Sequence, residues 1–271
     1  MTILESIKVA AVQMVSTSNM QENLDQARYW IGRAVAEGAQ LVLLPEYFCL
    51  MGLRDTDKLA VREPMGEGPL QAFLRESARE HGIWLIGGTI PLESGEPDRI
   101  YNSCLVFDPE GQCVARYDKI HLFDFDNGTE VFSESNTIVP GSNAPQVFRA
   151  PFGDVGLSIC YDLRFPELYR ALNEAGLIVV PSAFTWTTGE AHWEVLLRAR
   201  AIENQCYVLA AAQGGRHDSG RRTWGRSVLI DPWGEVLDSV AQGPGLVTGQ
   251  LDSEHLAAVR QRLPALRHRR L

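Results

Sequence analysis

The sequence predicts an α/β protein in which two mixed sheets of related topology pack face to face, with helices on the outside. The order β-α-β-α-β-β-β occurs twice along the chain, and each copy closes with a hairpin whose turn is Asp-Pro-x-Gly, at 108–111 and 231–234. An apolar strand that ends in proline, Leu-Val-Leu-Leu-Pro or Leu-Ile-Val-Val-Pro, stands at the same place in both copies. We therefore expect one domain over residues 1–271, with two related halves at about 8–119 and 155–240 and a C-terminal tail.

Local patterns predict each element of the first half. Residues 20–37 are expected to form a helix, because apolar side chains recur there every three or four residues and Gly38 ends the pattern. Pro69 suits the first position of a second helix, which Gly82 closes. The other segments are apolar runs or hairpin arms and are predicted strands, at 8–14, 41–44, 83–88, 103–107 and 112–117.

The second half is predicted by the same patterns. Pro166 opens a helix that is expected to run to Ala175, and a further helix is expected over 190–204. The closing hairpin has Asp231 at the first position of its turn, proline at the second and Gly234 at the fourth, which is the chemistry of a type I turn. The predicted strands are 155–159, 177–180, 206–211, 227–230 and 235–239.

Charge and hydropathy exclude several classes of function. The net charge of −9 gives no electrostatic basis for nucleic-acid binding. No apolar stretch approaches the length of a membrane span, and the N-terminus lacks the profile of a signal peptide. The five cysteines are an odd number, widely spread, without a Cys-x-x-Cys pair. We therefore expect a cytoplasmic protein with neither a disulfide framework nor a structural zinc site.

Three polar side chains follow predicted strands at the edge where ligands usually gather. Glu46 follows one apolar strand, Lys119 follows a hairpin arm, and Cys160 ends the apolar run 155–159. Ligand groups collect at the carboxyl ends of strands in open α/β sheets, so these three are expected to meet. Each alone would be a surface or core residue, but a carboxylate, an ammonium and a thiol together indicate a catalytic set.

Each residue type has a chemical reason. Lys119 is expected to lower the pKa of the Cys160 thiol and to stabilise the oxyanion of a tetrahedral intermediate. Glu46 is expected to act as general base, first on the thiol and later on the water that cleaves the thioester. The backbone N–H of Tyr161 is the expected second oxyanion donor.

Motifs of other hydrolases and of nucleotide-binding proteins are absent, including Gly-x-Ser-x-Gly, His-Glu-x-x-His, Gly-x-x-x-x-Gly-Lys and Gly-x-Gly-x-x-Gly. A cysteine–histidine hydrolase stays open as an alternative, with His121 and His192 as the histidines to consider. Neither belongs to a local papain-type or caspase-type sequence around Cys160. His121 is more simply explained as a packing or supporting residue.

Three segments resemble the catalytic signatures of the nitrilase superfamily of carbon–nitrogen hydrolases. They are Leu-Pro-Glu at 44–46, Tyr-Asp-Lys-Ile-His-Leu-Phe-Asp at 117–124 and Ile-Cys-Tyr-Asp-Leu-Arg-Phe-Pro-Glu-Leu at 159–168. The resemblance runs over nearly the whole chain. It implies a four-layer α-β-β-α sandwich, a Glu46–Lys119–Cys160 triad, and hydrolysis without a metal or cofactor. It also implies that Glu134, in Phe-Ser-Glu-Ser, is the additional active-site glutamate of the superfamily.

The sequence around the nucleophile is similar to the Nit subfamily of amidases, since true nitrilases have Cys-Trp-Glu where this chain has Cys-Tyr-Asp. The segment 191–217 resembles the deaminated glutathione amidases most, and the ω-amidases less well after Arg200. The resemblance implies cleavage of deaminated glutathione to 2-oxoglutarate and cysteinylglycine. The alternatives are an ω-amidase acting on 2-oxoglutaramate, a broader short-acyl amidase, and a catalytically silent ligand-binding module.

A small anionic amide substrate requires local cations, because the protein is acidic overall. Arg164 is expected at the 2-oxo-acid end, unless it instead pairs with Glu167 or with the Glu190–Glu194 segment. Pocket-wall residues are expected at Phe184, Thr187 and Thr188, and Arg216 and His217 are candidates for the thiol-containing part of the substrate. We also expect a homodimer or higher homo-oligomer, formed through the mixed apolar and charged surface of 164–170 and 190–204.

Overall fold

The computed structural model describes residues 5–142, 144–172 and 175–270 and consists of two facing sheets with helices outside. The strands of the described chain are β1 (Ile7–Gln13), β2 (Leu41–Leu43), β3 (Trp84–Ile86), β4 (Ile90–Glu93), β5 (Ile100–Phe107), β6 (Cys113–Asp118), β7 (Asp124–Asp126), β8 (Val131–Ser133), β9 (Val147–Ala150), β10 (Gly153–Leu157), β11 (Leu177–Ser182), β12 (Tyr207–Ala212), β13 (Ser227–Ile230), β14 (Val236–Val240) and β15 (Gly245–Leu251). The α-helices are α1 (Met20–Ala36), α2 (Pro69–His81), α3 (Pro166–Arg170), α4 (Trp186–Asn204) and α5 (Ser253–Arg262), and short 3₁₀ turns cover Asp57–Val61, Glu134–Asn136, Cys160–Arg164 and Ala265–His268.

Both large sheets are mixed, as predicted. The first has the order β15-β1-β2-β3-β5-β4, with β6 also paired to β5, and the second has the order β14-β13-β12-β11-β10-β9. The central strands β1, β2 and β3 are parallel, and so are β10, β11 and β12. The strands β7 and β8 form a separate hairpin. The predicted fold class is confirmed.

The layers follow from the alternation of side chains along the central strands. On β1, Val9 and Ala11 belong to the core between the sheets, whereas Ala10 and Val12 pack with the apolar faces of α1 and α2. All four are fully buried, which is why these strands read as continuous apolar runs rather than alternating ones. The sequence therefore encodes two cores, one between the sheets and one beneath the helices.

The segment after residue 240 contains a strand that crosses to the other sheet. β15 pairs antiparallel with β1 over its full length, from Ile7 opposite Leu251 to Gln13 opposite Gly245. The first sheet is therefore completed by a strand from the far end of the chain. The sequence pattern predicts only a C-terminal tail there, without a strand. The division into two related halves stays a prediction.

Several helix boundaries differ from the expected ones. The helix predicted over 166–175 is regular only to Arg170, and Asn173 and Glu174 lie outside the described residues. The helix predicted to begin at residue 190 begins at Trp186, because the side chain of Thr185 caps it by accepting the N–H of Thr188 at 3.3 Å.

Candidate active site

Glu46, Lys119 and Cys160 meet at the carboxyl ends of their strands. Lys119 directly follows β6, Glu46 follows β2 after two residues, and Cys160 follows β10 after two residues. Their exposed fractions are only 1%, 0% and 7%. Cys160 adopts a left-handed backbone with φ of 49° and begins the 3₁₀ turn that leads to α3. This conformation is strained for a side chain other than glycine, so the turn is held by its surroundings.

The buried ammonium of Lys119 lies between two carboxylates. Its Nζ donates to Oε1 of Glu46 at 2.9 Å and to Oε1 and Oε2 of Glu134 at 2.9 and 2.7 Å. Burial opposes the charged form, but the two carboxylates raise the pKa of Lys119 above its usual value. Lys119 is therefore a permanent cation in this site.

Glu46 has one occupied and one free oxygen. Its Oε1 accepts hydrogen bonds from Lys119 and from Nδ2 of Asn102, each at 2.9 Å. Its Oε2 is buried and has no hydrogen-bond partner among the residues that the structure describes. Glu46 and Cys160 line the same small pocket. The arrangement leaves a carboxylate oxygen available to take a proton from the thiol or from water.

Three residues form hydrogen bonds with the carboxylate of Glu134. Besides Lys119, its carboxylate accepts the hydroxyl of Tyr47 at 2.9 Å and the backbone N–H of Phe123 at 2.7 Å. Burial alone would raise the pKa of Glu134, but the Lys119 charge and the Phe123 N–H hold it below its usual value. Glu134 thus lies beside Lys119 in the buried cluster, and its catalytic role stays a prediction.

The charge of Lys119 lowers the pKa of the Cys160 thiol, as expected, but other effects outweigh it. Burial and the negative charge of Glu46 raise the pKa of Cys160 well above its ordinary value, and the opposing effect of Lys119 is smaller. Burial is the largest of these effects, and the negative charge of Glu134 raises the pKa further. The thiol is protonated at neutral pH, so attack requires a base that removes its proton.

Asp162 connects the turn of Cys160 to the segment of Lys119. Its carboxylate accepts the hydroxyl of Tyr117 at 2.7 Å and the backbone N–H of Ile159 at 2.9 Å. It also contacts His121, at 3.1 Å from the backbone nitrogen and 2.7 Å from Nδ1. The imidazole of His121 stacks on Phe165 at 3.7 Å. His121 therefore supports the site through Asp162 and does not line the thiol pocket.

The thiol pocket also contains four of the predicted oxyanion and substrate residues. This small space measures about 270 Å³ with its opening to solvent included, and it is lined by Tyr161, Arg164, Phe184 and Thr188 together with Glu46, Phe123, Glu134, Cys160, Ala183, Thr185 and Arg221. The guanidinium of Arg164 lies over the rings of Tyr161 and Phe184, at 5.7 and 5.4 Å. Its Nη1 lies 3.2 Å from Nδ1 of His192, and the described carboxylates of Glu167, Glu190 and Glu194 form no ion pair with it. Arg164 is therefore available to an anion in this pocket.

Thr187 belongs to a second space, which we call the outer cleft. This open cleft, of about 1590 Å³, is lined by Tyr47, Lys58, Trp186 and Thr187 and by residues 50–55, 123, 130–134 and 219–222. The hydroxyl of Thr187 donates to Glu130 at 2.8 Å. The outer cleft shares Phe123, Glu134 and Arg221 with the thiol pocket, so the two spaces adjoin.

Arg216 and His217 line neither space, contrary to expectation. Arg216 is exposed, and His217 is buried with its ring nitrogens 2.8 Å from the Ser16 carbonyl and from Oγ1 of Thr223. The chain turns at Gly220, and this brings Arg221 to the site instead. In an irregular loop the sequence does not indicate which side chain points toward the site.

Tyr47, Asn102 and Arg221 are site residues that the sequence did not indicate. A signal existed for Asn102, because a polar residue in an otherwise apolar strand needs a buried partner. Tyr47 adjoins Glu46 in the sequence and has a φ of 56°, a backbone strain that sequence patterns do not display.

The fold and the site together define a four-layer α/β hydrolase with a thiol, a lysine and two carboxylates in one buried cluster. The chain belongs to the carbon–nitrogen hydrolase family, whose model matches residues 8–261. The deaminated glutathione amidase of Synechocystis sp. is 44% identical over 267 residues, which cover 96% of this chain and 97% of that protein. An ω-amidase of Xenopus tropicalis is 39% identical over 271 residues, 98% of this chain and 96% of that one.

The solved structures agree with the family. Nit3 of Saccharomyces cerevisiae, a member of branch 10 of the nitrilase superfamily, superposes with a TM-score of 0.88 at 33% identity, covering 98% of this chain and 97% of its own. The resemblance to the nitrilase superfamily is thereby confirmed. Within the described residues, no helix is long and apolar enough to cross a membrane.

Proposed function

We propose that this carbon–nitrogen hydrolase is an amidase that cleaves deaminated glutathione to 2-oxoglutarate and cysteinylglycine through a thioester. The observation that carries the chemistry is the buried carboxylate of Glu46, with one oxygen bonded to Lys119 and the other free in the pocket of Cys160. The relatives at 44% identity over nearly the whole chain support the substrate.

In the first step, the free oxygen of Glu46 takes the thiol proton while Sγ of Cys160 attacks the amide carbon. The Nζ of Lys119 and the N–H of Tyr161 stabilise the oxyanion. Glu46 then gives its proton to the leaving nitrogen, the carbon–nitrogen bond breaks, and the amine departs. The products of this step are a thioester on Cys160 and an ionised Glu46.

In the second step, Glu46 takes a proton from water, and the resulting hydroxide attacks the thioester carbon. The carbon–sulfur bond breaks, the thiol of Cys160 recovers the proton, and the carboxylic acid leaves. Glu134 keeps Lys119 charged and oriented through both steps, through the contacts at 2.9 and 2.7 Å. Every proton is returned, so the chain ends the cycle unchanged.

We assign the acyl group of this small anionic substrate to the thiol pocket, because that pocket contains Cys160. We assign its 2-oxo-acid end to Arg164, because that guanidinium lines the pocket without a carboxylate partner in the described chain. Phe184 and Thr188 form pocket walls beside it, whereas Thr187 faces the outer cleft.

Two other functions have support. An ω-amidase acting on 2-oxoglutaramate would use the same acyl group, and the Xenopus tropicalis relative carries that activity in its name. A broader short-acyl amidase would require only the thiol pocket. The presence of all three residues argues against a catalytically silent binding module. Glu46 and Cys160 line one pocket, and Glu46 forms an ion pair with Lys119.

The deciding experiment measures 2-oxoglutarate release from deaminated glutathione and from 2-oxoglutaramate, as kcat/KM, with Cys160→Ala as the blank. We expect a large preference for deaminated glutathione. A preference for 2-oxoglutaramate would assign the ω-amidase function instead. Folded wild-type protein that hydrolyses neither amide would contradict the substrate assignment.

We further propose a reducing, cytoplasmic location and a homodimeric or larger assembly. The five cysteines are all free thiols, four of them buried, which suits a reducing compartment. On α4, Val195 and Ile202 have exposed fractions of 62% and 50%, an apolar surface that a second subunit would cover. Sedimentation equilibrium of the wild type and of Val195→Glu tests this, and a monomeric wild type would contradict the assembly.

A further inference from the structure

Lys58 and Arg221 line the outer cleft without an ion pair to a carboxylate of the described chain. Arg222 is a third such cation, and its guanidinium lies over the ring of Trp186 at 3.9 Å. The Nζ of Lys58, on the 3₁₀ turn Asp57–Val61, donates to the hydroxyl of Thr137 at 3.2 Å. Arg221 donates through Nη2 to the carbonyl of Ala183 at 3.1 Å, and its buried Nε has no hydrogen-bond partner among the described residues. A guanidinium with an unused, desolvated N–H is a ready donor for an anion.

Lys58 and Arg221 act on one another. Burial lowers the pKa of Lys58, and the charge of Arg221 lowers it further. Glu134 and Asp55 oppose this shift from a distance, but neither forms an ion pair with Lys58 within the described residues. Two like charges held in one cleft favour an anionic ligand, which would relieve both the desolvation and the repulsion.

The position of Arg221 relates this cleft to the chemistry. Arg221 lines both the thiol pocket and the outer cleft, whereas Lys58 lines only the cleft. A substrate whose amide carbon lies at the thiol therefore extends past Arg221 before it reaches Lys58. The outer cleft is also several-fold larger than the thiol pocket, so it suits the larger of the two parts that the amide joins.

We propose that the outer cleft is the binding site for the amine side of a peptide-like amide, and that Lys58 and Arg221 bind its terminal carboxylate. The inference rests on the proposed function, in which the amine side is cysteinylglycine and ends in a carboxylate. Binding of this carboxylate would make the enzyme prefer deaminated glutathione over 2-oxoglutaramate. The two substrates share an acyl group and differ only in the amine that is released, which is cysteinylglycine in one case and ammonia in the other.

The test compares three substrates as kcat/KM: deaminated glutathione, the same compound with its terminal carboxylate converted to an amide, and 2-oxoglutaramate. In the wild type, removing the carboxylate is expected to lower kcat/KM about tenfold, the usual size of a charged hydrogen bond. Lys58→Met is expected to lower kcat/KM about tenfold for the free acid and to add little for the amide. Lys58→Arg is expected to restore most of the loss. The matched control is Arg216→Ala, which removes an exposed arginine outside both spaces and is expected to keep all ratios within twofold.

The outcomes separate this inference from the proposed function. If Lys58→Met lowers kcat/KM equally for all three substrates, the cleft does not recognise the amine side, and the inference is overturned while the amidase function stands. If the wild type has the same kcat/KM for the free acid and for its terminal amide, the carboxylate is not recognised and the inference is overturned. This comparison does not depend on whether any variant folds. If the wild type accepts 2-oxoglutaramate but not deaminated glutathione, both the substrate assignment and this inference fail.

Discussion

Lys119 donates to both carboxylate oxygens of Glu134, at 2.9 and 2.7 Å, and uses the same Nζ to reach Glu46 at 2.9 Å. An ammonium has three N–H donors, so the contacts with the two glutamates occupy all of them. An oxyanion can receive a hydrogen bond from Lys119 only if one of these contacts loosens, and two of the three are with Glu134. Glu134 therefore sets how strongly Lys119 supports the reaction, in addition to keeping it charged.

Replacing Glu134 with glutamine should lower kcat by at least tenfold and change KM less. The glutamine keeps the shape but removes a negative charge from Lys119 and offers it one acceptor oxygen instead of two. Steady-state kinetics on the preferred amide checks this. Tyr47→Phe is the matched control, since it removes a single 2.9 Å hydrogen bond to Glu134 and should cost only a few-fold. A Glu134→Gln enzyme with kcat within twofold of the wild type would show that Glu134 is not required.

Lys119→Met should lower both turnover and stability. Loss of the oxyanion donor is expected to cost more than about a hundredfold in kcat. Removal of the cation also leaves the buried carboxylate of Glu46 and the largely buried one of Glu134 without their ion pair, which is expected to lower the free energy of unfolding by about 3–5 kcal/mol. Urea unfolding gives the second value. Lys58→Met, which breaks no ion pair in the described chain, should lose far less stability, and equal losses in the two variants would contradict the argument.

The core of the site is predictable because strand ends are predictable. Glu46 and Lys119 follow strands β2 and β6 of the first sheet, Cys160 follows β10 of the second, and the carboxyl ends of these strands meet where the two sheets face each other. Glu134 follows β8 of the small hairpin outside the large sheets, and only the family resemblance indicates it. Arg221 lies in an irregular loop, where side-chain direction depends on the whole turn.

Long-range relations account for the remaining errors. The pairing of β15 with β1 joins residues about as far apart as the chain allows, and no local pattern specifies it. The net pKa of the Cys160 thiol is raised although a lysine lies beside it, because burial and the charges of Glu46 and Glu134 outweigh the effect of Lys119. The net charge around Cys160 depends on every member of the buried cluster. The carboxylates of Glu46 and Glu134 are distant from Cys160 in the sequence, so their effect is not visible in it.

The raised thiol pKa predicts how alkylation of Cys160 depends on pH. Below the pKa of a thiol, the reactive thiolate increases about tenfold for each pH unit. We therefore expect the rate of alkylation by iodoacetamide to rise throughout pH 7 to 9 without levelling off. The Cys113→Ser background removes the exposed thiol, and mass spectrometry of the Cys160 peptide gives the rate. A plateau in this range would mean that the effect of Lys119 outweighs burial and the two carboxylates, and would contradict the raised thiol pKa.

Asp162→Asn should slow catalysis although Asp162 does not line the thiol pocket. The carboxylate accepts hydrogen bonds from Tyr117, from the backbone of Ile159 and from His121, and so joins the turn of Cys160 to the segment that carries Lys119. An asparagine presents an amide nitrogen to one of these donors and leaves it unsatisfied, at a cost of about 1–3 kcal/mol in the free energy of unfolding. We expect kcat to fall at least tenfold with little change in KM, measured where the variant is fully folded. Tyr117→Phe removes only one 2.7 Å contact and should keep most of kcat. An Asp162→Asn enzyme that is less stable but retains wild-type kcat would limit Asp162 to the fold and exclude a positioning role.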